Sequence, residues 1–419
     1  MKCSRLLLLL LCLTLTSGCS SYFAKRIKYR IEPSHAAGSP QFLRSLSYLT
    51  GPGLLASNKV TSLVNGDQIF PAMIDSVKAA EKSINLETYI YWSGDIGKEF
   101  ADLLGEKARQ GVRVRVLVDW WGSGEIDSSH FIRMRAAGVQ VVKYNPLLPW
   151  RVLRINHRDH RKLLIVDGKV GFTGGAGIAD VWLGNAEGPD QWRDTMFKLE
   201  GPAVGQMQAV FMDNWRKAAG EVLAGDDYFP ELLPAGDQHV QVFGSSPQDN
   251  VETVRMMFLL SIDSARKNIR ICTPYFVPGE GTEEALLRAC ERGVKVEFIV
   301  PGSNTDVPFV RHVSRGHWGP LLRAGAKFYE YQPTMFHTKL MIVDDVWVSV
   351  GSANVDNRSF RLNDESNMNI FSAEFAAEQV KIFEADKTKT IEVTHELWKK
   401  RPFHRRVMEV ITTPFRSQL

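Results

Sequence analysis

The sequence predicts an α/β protein of two similar lobes, each a β-sheet flanked by helices, related by a pseudo-twofold axis with one active site at their interface. Three observations predict it. Helical and strand-like stretches alternate along the chain, a long segment occurs twice in similar form, and one short basic motif falls at the same place in both copies. At 419 residues the chain exceeds the size at which a single core usually stops growing, so two lobes with extensions are expected. Hydrophobic residues at 44% and charged residues at 23% fit a globular protein, not a disordered or multi-span membrane chain.

The N-terminus departs from that balance. Met1, Lys2 and Arg5 precede the apolar run Leu6 to Leu13, and small residues follow, which is the layout of a cleaved export signal over residues 1–18. The run is too short to span a bilayer comfortably. Leu15-Thr16-Ser17-Gly18-Cys19 resembles a bacterial lipobox, which implies a lipidated Cys19 at the mature N-terminus; an ordinary signal peptide or an uncleaved N-terminal anchor is the alternative. The expected location is the bacterial cell envelope, attached to membrane, and by the same resemblance Ser20 favours the periplasmic side. Residues 19–60 are read as a tether. With Cys3, Cys12 and Cys19 in the leader, only Cys272 and Cys290 remain in the body, read as buried small hydrophobes, so neither a disulfide framework nor a cysteine metal site is implied.

The first lobe is placed at 61–224 and the second at 251–395. Ala80-Glu81-Lys82-Ser83-Ile84-Asn85-Leu86-Glu87-Thr88-Tyr89 matches Ala265-Arg266-Lys267-Asn268-Ile269-Arg270-Ile271-Cys272-Thr273-Pro274. Each copy runs through a helical stretch into a β-branched, alternating run, Val112–Val118 or Val294–Val300. Residues 225–250, rich in Asp, Pro, Gly and Ser, read as a linker. Two such halves packed about a twofold axis bring equivalent residues to one cleft, an internal pseudo-dimer within a monomer.

The chemistry falls at matching positions. His160-Arg161-Lys162-Leu163-Leu164-Ile165-Val166-Asp167 and His337-Thr338-Lys339-Leu340-Met341-Ile342-Val343-Asp344 both read H-x-K-x-x-x-x-D. The four apolar residues make a buried strand, and His and Lys two positions apart project from one face. Four basic side chains with no carboxylate on that face suit a phosphodiester anion, so no metal and no cofactor is expected. One neutral imidazole can attack phosphorus while the other protonates the leaving alcohol. Asp167 and Asp344 belong to the same set but lie on the opposite face by strand parity, which gives them a bracing role.

Gly351-Ser352-Ala353-Asn354 follows the second motif where Gly174-Gly175-Ala176-Gly177 follows the first, so Ser352 and Asn354 are candidate phosphate ligands with no side-chain counterpart at Gly175 and Gly177. Farther on, Asp194 and Glu365 are each expected to accept the imidazole N–H of a catalytic histidine and fix its tautomer.

With these residues the sequence resembles the phospholipase D superfamily, whose hallmark is the duplicated H-x-K-x-x-x-x-D followed by Gly-Ser-x-Asn. Gly351 to Phe360 with Asn363 and Glu365, and Trp192-Arg193-Asp194 with Glu200 to Val204, look like its bacterial cardiolipin synthase branch. The resemblance implies a phosphatidyl-histidine intermediate, His160 as nucleophile, His337 as general acid, and transfer to phosphatidylglycerol, with phosphatidylethanolamine a further candidate substrate. The alternatives are a phospholipase D that delivers the intermediate to water, an exported nuclease, and a membrane-tethered binding protein that keeps the fold without the activity; nucleic acid is not an expected partner. Two basic, aromatic-bearing stretches suit a membrane surface: the insertion around Trp150-Arg151, present only in the first lobe, and the tail 396–419 with Lys399, Lys400, Arg401, Arg405 and Arg406 beside Trp398 and Phe403. An ordinary packed loop and a solvated helix are the competing readings.

Overall fold

The computed structural model describes residues 35–147, 156–247 and 252–403, together with positions 29, 31, 406, 409 and 418. The leader, Cys19, the Trp150-Arg151 insertion and most of the tail beyond 403 lie outside the described residues.

The first lobe supplies β1 (Leu55–Val64), β2 (Ser83–Thr88), β3 (Arg113–Asp119), β4 (Gln140–Tyr144), β5 (Arg158–Asp159), β6 (Lys162–Val166), β7 (Val170–Gly174) and β8 (Thr195–Glu200). The second supplies β9 (Gln238–Ser245), β10 (Asn268–Cys272), β11 (Phe276–Val277), β12 (Lys295–Pro301), β13 (Lys327–Tyr331), β14 (Leu340–Val343), β15 (Trp347–Gly351), β16 (Val355–Asp356), β17 (Asn363–Phe371) and β18 (Thr390–Val393). Counted inward from one edge the sheet runs β4-β3-β2-β6-β7-β8-β1, and from the other β13-β12-β10-β14-β15-β17-β9, with β18 outside β13. The two series match strand for strand, and the pseudo-twofold axis passes between β1 and β9.

The lobes are thus halves of one continuous sheet, which corrects the expected linker. Gln238–Ser245 is strand β9, paired along β17 and joined to β1. Turn-forming residues on both sides of it masked the alternation His239-Val240-Gln241-Val242-Phe243. The tether is corrected in the same way, because its second half holds a helix, Pro40–Thr50, capped by the Ser39 hydroxyl, and the start of β1.

Strand parity divides the core. Leu163, Ile165, Leu340 and Ile342 face a cluster shared by both lobes, under helices Val204–Ala219 and Ala373–Lys387, which contribute Phe211, Trp215, Phe375 and Phe383. Leu164 and Val166 face the core of the first lobe, and Met341 and Val343 that of the second. Burial on both faces explains the near-continuous apolar runs; each such aliphatic side chain stabilises the fold by roughly 1.5–3 kcal/mol. β2, β3 and β4 are parallel, whereas β6 runs antiparallel to β2 with Lys162 opposite Thr88. The first residues of the motif therefore lie at the carboxyl ends of the parallel strands, where open α/β sheets leave room for ligand. The same holds for β14 beside β10, with Leu340 opposite Cys272.

Candidate active site

Each motif is stitched to the other lobe before its strand begins. β5 pairs with β17, Asn363 opposite Arg158 and Asp364 opposite Asp159. The His160 amide donates to the Asp364 carbonyl at 2.9 Å, and the His337 amide to the Arg193 carbonyl at 2.8 Å. The histidines and their carboxylates consequently pair across the pseudo-twofold. His160 Nδ1 lies 3.0 Å from both carboxylate oxygens of Glu365, and His337 Nδ1 lies 2.8 Å from Asp194 Oδ2. Lys162 Nζ donates to the His160 carbonyl and Lys339 Nζ to the His337 carbonyl, each at 2.6 Å. Both histidines, Lys162 and Asn354 line one cavity of about 290 Å³, large enough for a phosphodiester and its immediate substituents, and Lys339 reaches it through its contact with the His337 ring.

The two halves differ at the histidine Nε2 atoms. Lys339 Nζ sits 3.0 Å from both ring nitrogens of His337, Nδ1 and Nε2, whereas His160 Nε2 has no hydrogen-bond partner among the described residues. With Nδ1–H donated to Glu365, the Nε2 lone pair of His160 is free to attack. His337 instead has the Lys339 amino group, a proton source, against its ring.

Burial sets the charge states. Desolvation outweighs the attraction of Glu365 and holds His160 down at about 4. Burial alone would raise Glu365, but His160, Lys162 and the Ser352 hydroxyl hold it down at about 2. We assign the pair as carboxylate and neutral imidazole, because Lys162 and Lys339 stabilise the anion and oppose an imidazolium. Burial likewise lowers His337, with Lys339 adding to the effect and Asp194 opposing it. Desolvation brings Lys162 down to about 8, and desolvation with the nearby Lys162 charge brings Lys339 to about 7. An entering phosphodiester supplies the missing negative charge and favours both ammonium forms.

Asp167 and Asp344 stand at the far ends of β6 and β14, away from the cavity. Asp167 accepts from the amides of Glu81, Lys82 and Ser83 at 2.7–2.9 Å, and Asp344 from those of Arg266, Lys267 and Asn268 at 2.7–3.1 Å. Both have positive φ, 52° and 53°, a conformation Asp tolerates better than most residues. Their place in the catalytic set is therefore corrected to fastening the motif strand to the one beside it. Ser352 is also corrected: its hydroxyl donates to Glu365 Oε2 at 2.5 Å and accepts from the Ser366 amide, so its only proton is committed away from the cavity. Asn354 keeps the expected position, its Oδ1 buried without a partner.

The glycines opposite them are sterically required. A Cβ at Gly175 would lie 2.2 Å from Asp194 Oδ1, and one at Gly177 would lie 2.9 Å from Ile90 Cβ. Asp194, one methylene shorter than Glu365, takes its support from the Trp182 indole at 3.0 Å and the Thr195 amide instead of a serine.

Sequence reasoning attached no role to Tyr89, Arg158, Tyr275, Asp306 and Arg358, which also line the cavity. Tyr89 ends the first repeat segment and Tyr275 directly follows the second, one residue out of register, and Arg158 precedes the motif by two positions, the face-sharing spacing of a strand. Those were the available signals.

The cardiolipin synthase, PLD-like domain model matches residues 73–215 and 259–387, the two halves that together build this site. The chain is 36% identical over 376 residues to a cardiolipin synthase of Alkalihalophilus pseudofirmus, covering 89% of this chain and 75% of the relative. The chain belongs to the cardiolipin synthase family of phospholipase D-like proteins. A second member, the cardiolipin synthase of Geobacillus kaustophilus, is 36% identical over 88% of this chain and 74% of its own. A crystal structure of a phosphatidylserine synthase from Haemophilus influenzae shares the fold, with a TM-score of 0.67 over 90% of this chain and all of that one, at 14% identity. Among the described residues of this family member, no helix is long and apolar enough to cross a membrane.

Proposed function

We propose that this protein synthesises cardiolipin by transferring a phosphatidyl group to phosphatidylglycerol through a phosphatidyl-histidine intermediate. The observation that carries the proposal is the asymmetric pair of imidazoles around four buried bases, His160 free at Nε2 and His337 joined to Lys339. His160 Nε2 attacks the donor phosphorus as the bond to the head alcohol breaks and His337 gives that oxygen its proton. His337 then takes the proton of the acceptor's primary hydroxyl, whose oxygen attacks phosphorus and releases His160. Lys162, Lys339 and Asn354 hold the non-bridging oxygens, whose charge grows in each transition state.

The substrate's acyl chains must remain outside a cavity of this size, which calls for docking at a membrane surface. Val307, 37% exposed, lines the cavity, and Phe309, two residues on and also 37% exposed, supports that approach. We place the protein in the cell envelope, facing the periplasm and held by lipidated Cys19 or an N-terminal anchor, acting as a monomer. Palmitate labelling of wild type but not of Cys19→Ala is the expected result for lipidation. For activity, detergent-solubilised protein given phosphatidylglycerol, with and without phosphatidylethanolamine, is expected to form cardiolipin by mass spectrometry. Phosphatidic acid as the sole product would establish hydrolysis in its place, and untouched lipids with cleaved DNA a nuclease.

A further inference from the structure

We propose that Arg158 and Arg358 form a second anion subsite, which holds the acceptor lipid's phosphodiester while the histidine–lysine quartet holds the donor's. The inference rests on the phosphatidyl-transfer reading above. Both arginines line the same cavity as His160, Lys162 and His337. Arg158 is 4% exposed; its Nε donates to the His157 carbonyl at 2.8 Å and its Nη1 to Asp119 Oδ1 at 3.2 Å. Its Nη2 is buried with no hydrogen-bond partner among the described residues. Leaving the two N–H groups of such an atom unpaired is costly, and an oxyanion entering the cavity removes the cost.

Arg358 is held in place by neutral acceptors. Its Nη1 donates to Asn156 Oδ1 at 2.8 Å and to the Gln418 carbonyl at 3.1 Å, and its Nη2 to the Asn156 carbonyl at 3.0 Å. Burial disfavours its cation, and Tyr89 and Asp356 offset this only in part, with the neighbouring Arg158 charge acting against them. The carboxylates nearby do not fill the gap: Asp119 is taken by Arg158, Asp356 caps the Ser359 amide, and Asp306 is bonded to the Tyr275 hydroxyl. A second phosphate does, because a guanidinium fork matches two of its oxygens at once.

The spacing suits two phosphates in one product. Arg158 lies on β5 two residues before the nucleophile His160, a separation of about 6.5 Å along an extended chain, and both line the cavity. Two phosphates bridged by the three carbons of a glycerol lie a comparable distance apart. Water and neutral alcohols gain nothing from the subsite, which therefore selects an anionic acceptor.

The test is competition for one phosphatidyl-enzyme, so donor chemistry and the folded fraction cancel. With phosphatidylglycerol and ethanol supplied together, Arg358→Gln is expected to lower the ratio of cardiolipin to phosphatidylethanol by at least tenfold, and Arg358→Lys by less. An unchanged ratio in Arg358→Gln overturns the subsite. In wild type, sn-glycerol 3-phosphate is expected to outcompete glycerol by at least tenfold at low salt, and equal use of the two also overturns it, whatever the variants' folding. Wild type that makes phosphatidylethanol but no cardiolipin defeats the transfer reading itself, and the subsite with it.

Discussion

Glu365 lies 3.0 Å from the ring of His160, a residue 205 positions earlier in the other lobe. Asp194 returns the relationship to His337 at 2.8 Å across 143 positions. Because each histidine takes its orienting carboxylate from the opposite half, neither lobe holds a complete catalytic histidine alone. Glu365→Gln keeps the shape but lets the His160 tautomer invert, and kcat of the folded enzyme is expected to fall roughly 10³–10⁴-fold, far more than any loss of folded protein accounts for. Steady-state kinetics beside a thermal melt check this.

Phosphate affinity should depend on pH through the lysines. Lys339 titrates at about 7 and Lys162 at about 8 in the empty site, and a bound phosphate raises both. Inhibition by inorganic phosphate is expected to be strongest below pH 7 and to weaken as pH rises through 7 to 8. Lys339→Gln should flatten the lower part of that profile.

Stability carries the opposite sign. His160 titrates at about 4 in the folded protein against an ordinary 6.5, and Glu365 at about 2 against 4.5. Both favour the deprotonated group in the folded state, so their contribution is complete above pH 6.5 and is lost on acidification, first through His160 and then through Glu365. Denaturant titrations between pH 7 and 4 should show this slope, and His160→Gln should reduce it.

Asp167→Ala removes the acceptor for three backbone amides and puts a poorly suited residue at positive φ. Unfolding free energy is expected to fall by about 1–3 kcal/mol. Asp167→Asn, which tolerates that backbone and still accepts a hydrogen bond, should cost less; equal losses would contradict the bracing role.

Gly177→Asn, which mimics the sequence around Asn354, is not expected to add a phosphate ligand. Its Cβ would press on Ile90 and Trp182, with a destabilisation of about 1–3 kcal/mol and lower activity. Higher affinity for inorganic phosphate would show that this half can accept a side chain after all.

Much of this site was legible because duplication turns a weak motif into a strong one: His160, Lys162, His337 and Lys339 stand at equal places in two copies, and alternation puts each pair on one face. Asp167 and Asp344 were read as braces from parity alone. The crossing of Glu365 to His160 was not legible, since a list of similar residues does not say which half they serve; it follows from β5 pairing with β17. The commitment of Ser352 to Glu365 is likewise a contact between the bend after β15 and strand β17. β9 was missed because the residues beside it suit turns, while its own pairing depends on both halves of the sheet being present.

The central claim, one composite site with His160 as nucleophile, is tested most directly by locating the covalent intermediate. Rapid acid quench of His337→Ala with a phospholipid bearing a good leaving group, followed by peptide mass spectrometry, should place the phosphatidyl group on His160. An adduct on His337 in His160→Ala, with none on His160 in His337→Ala, would contradict it.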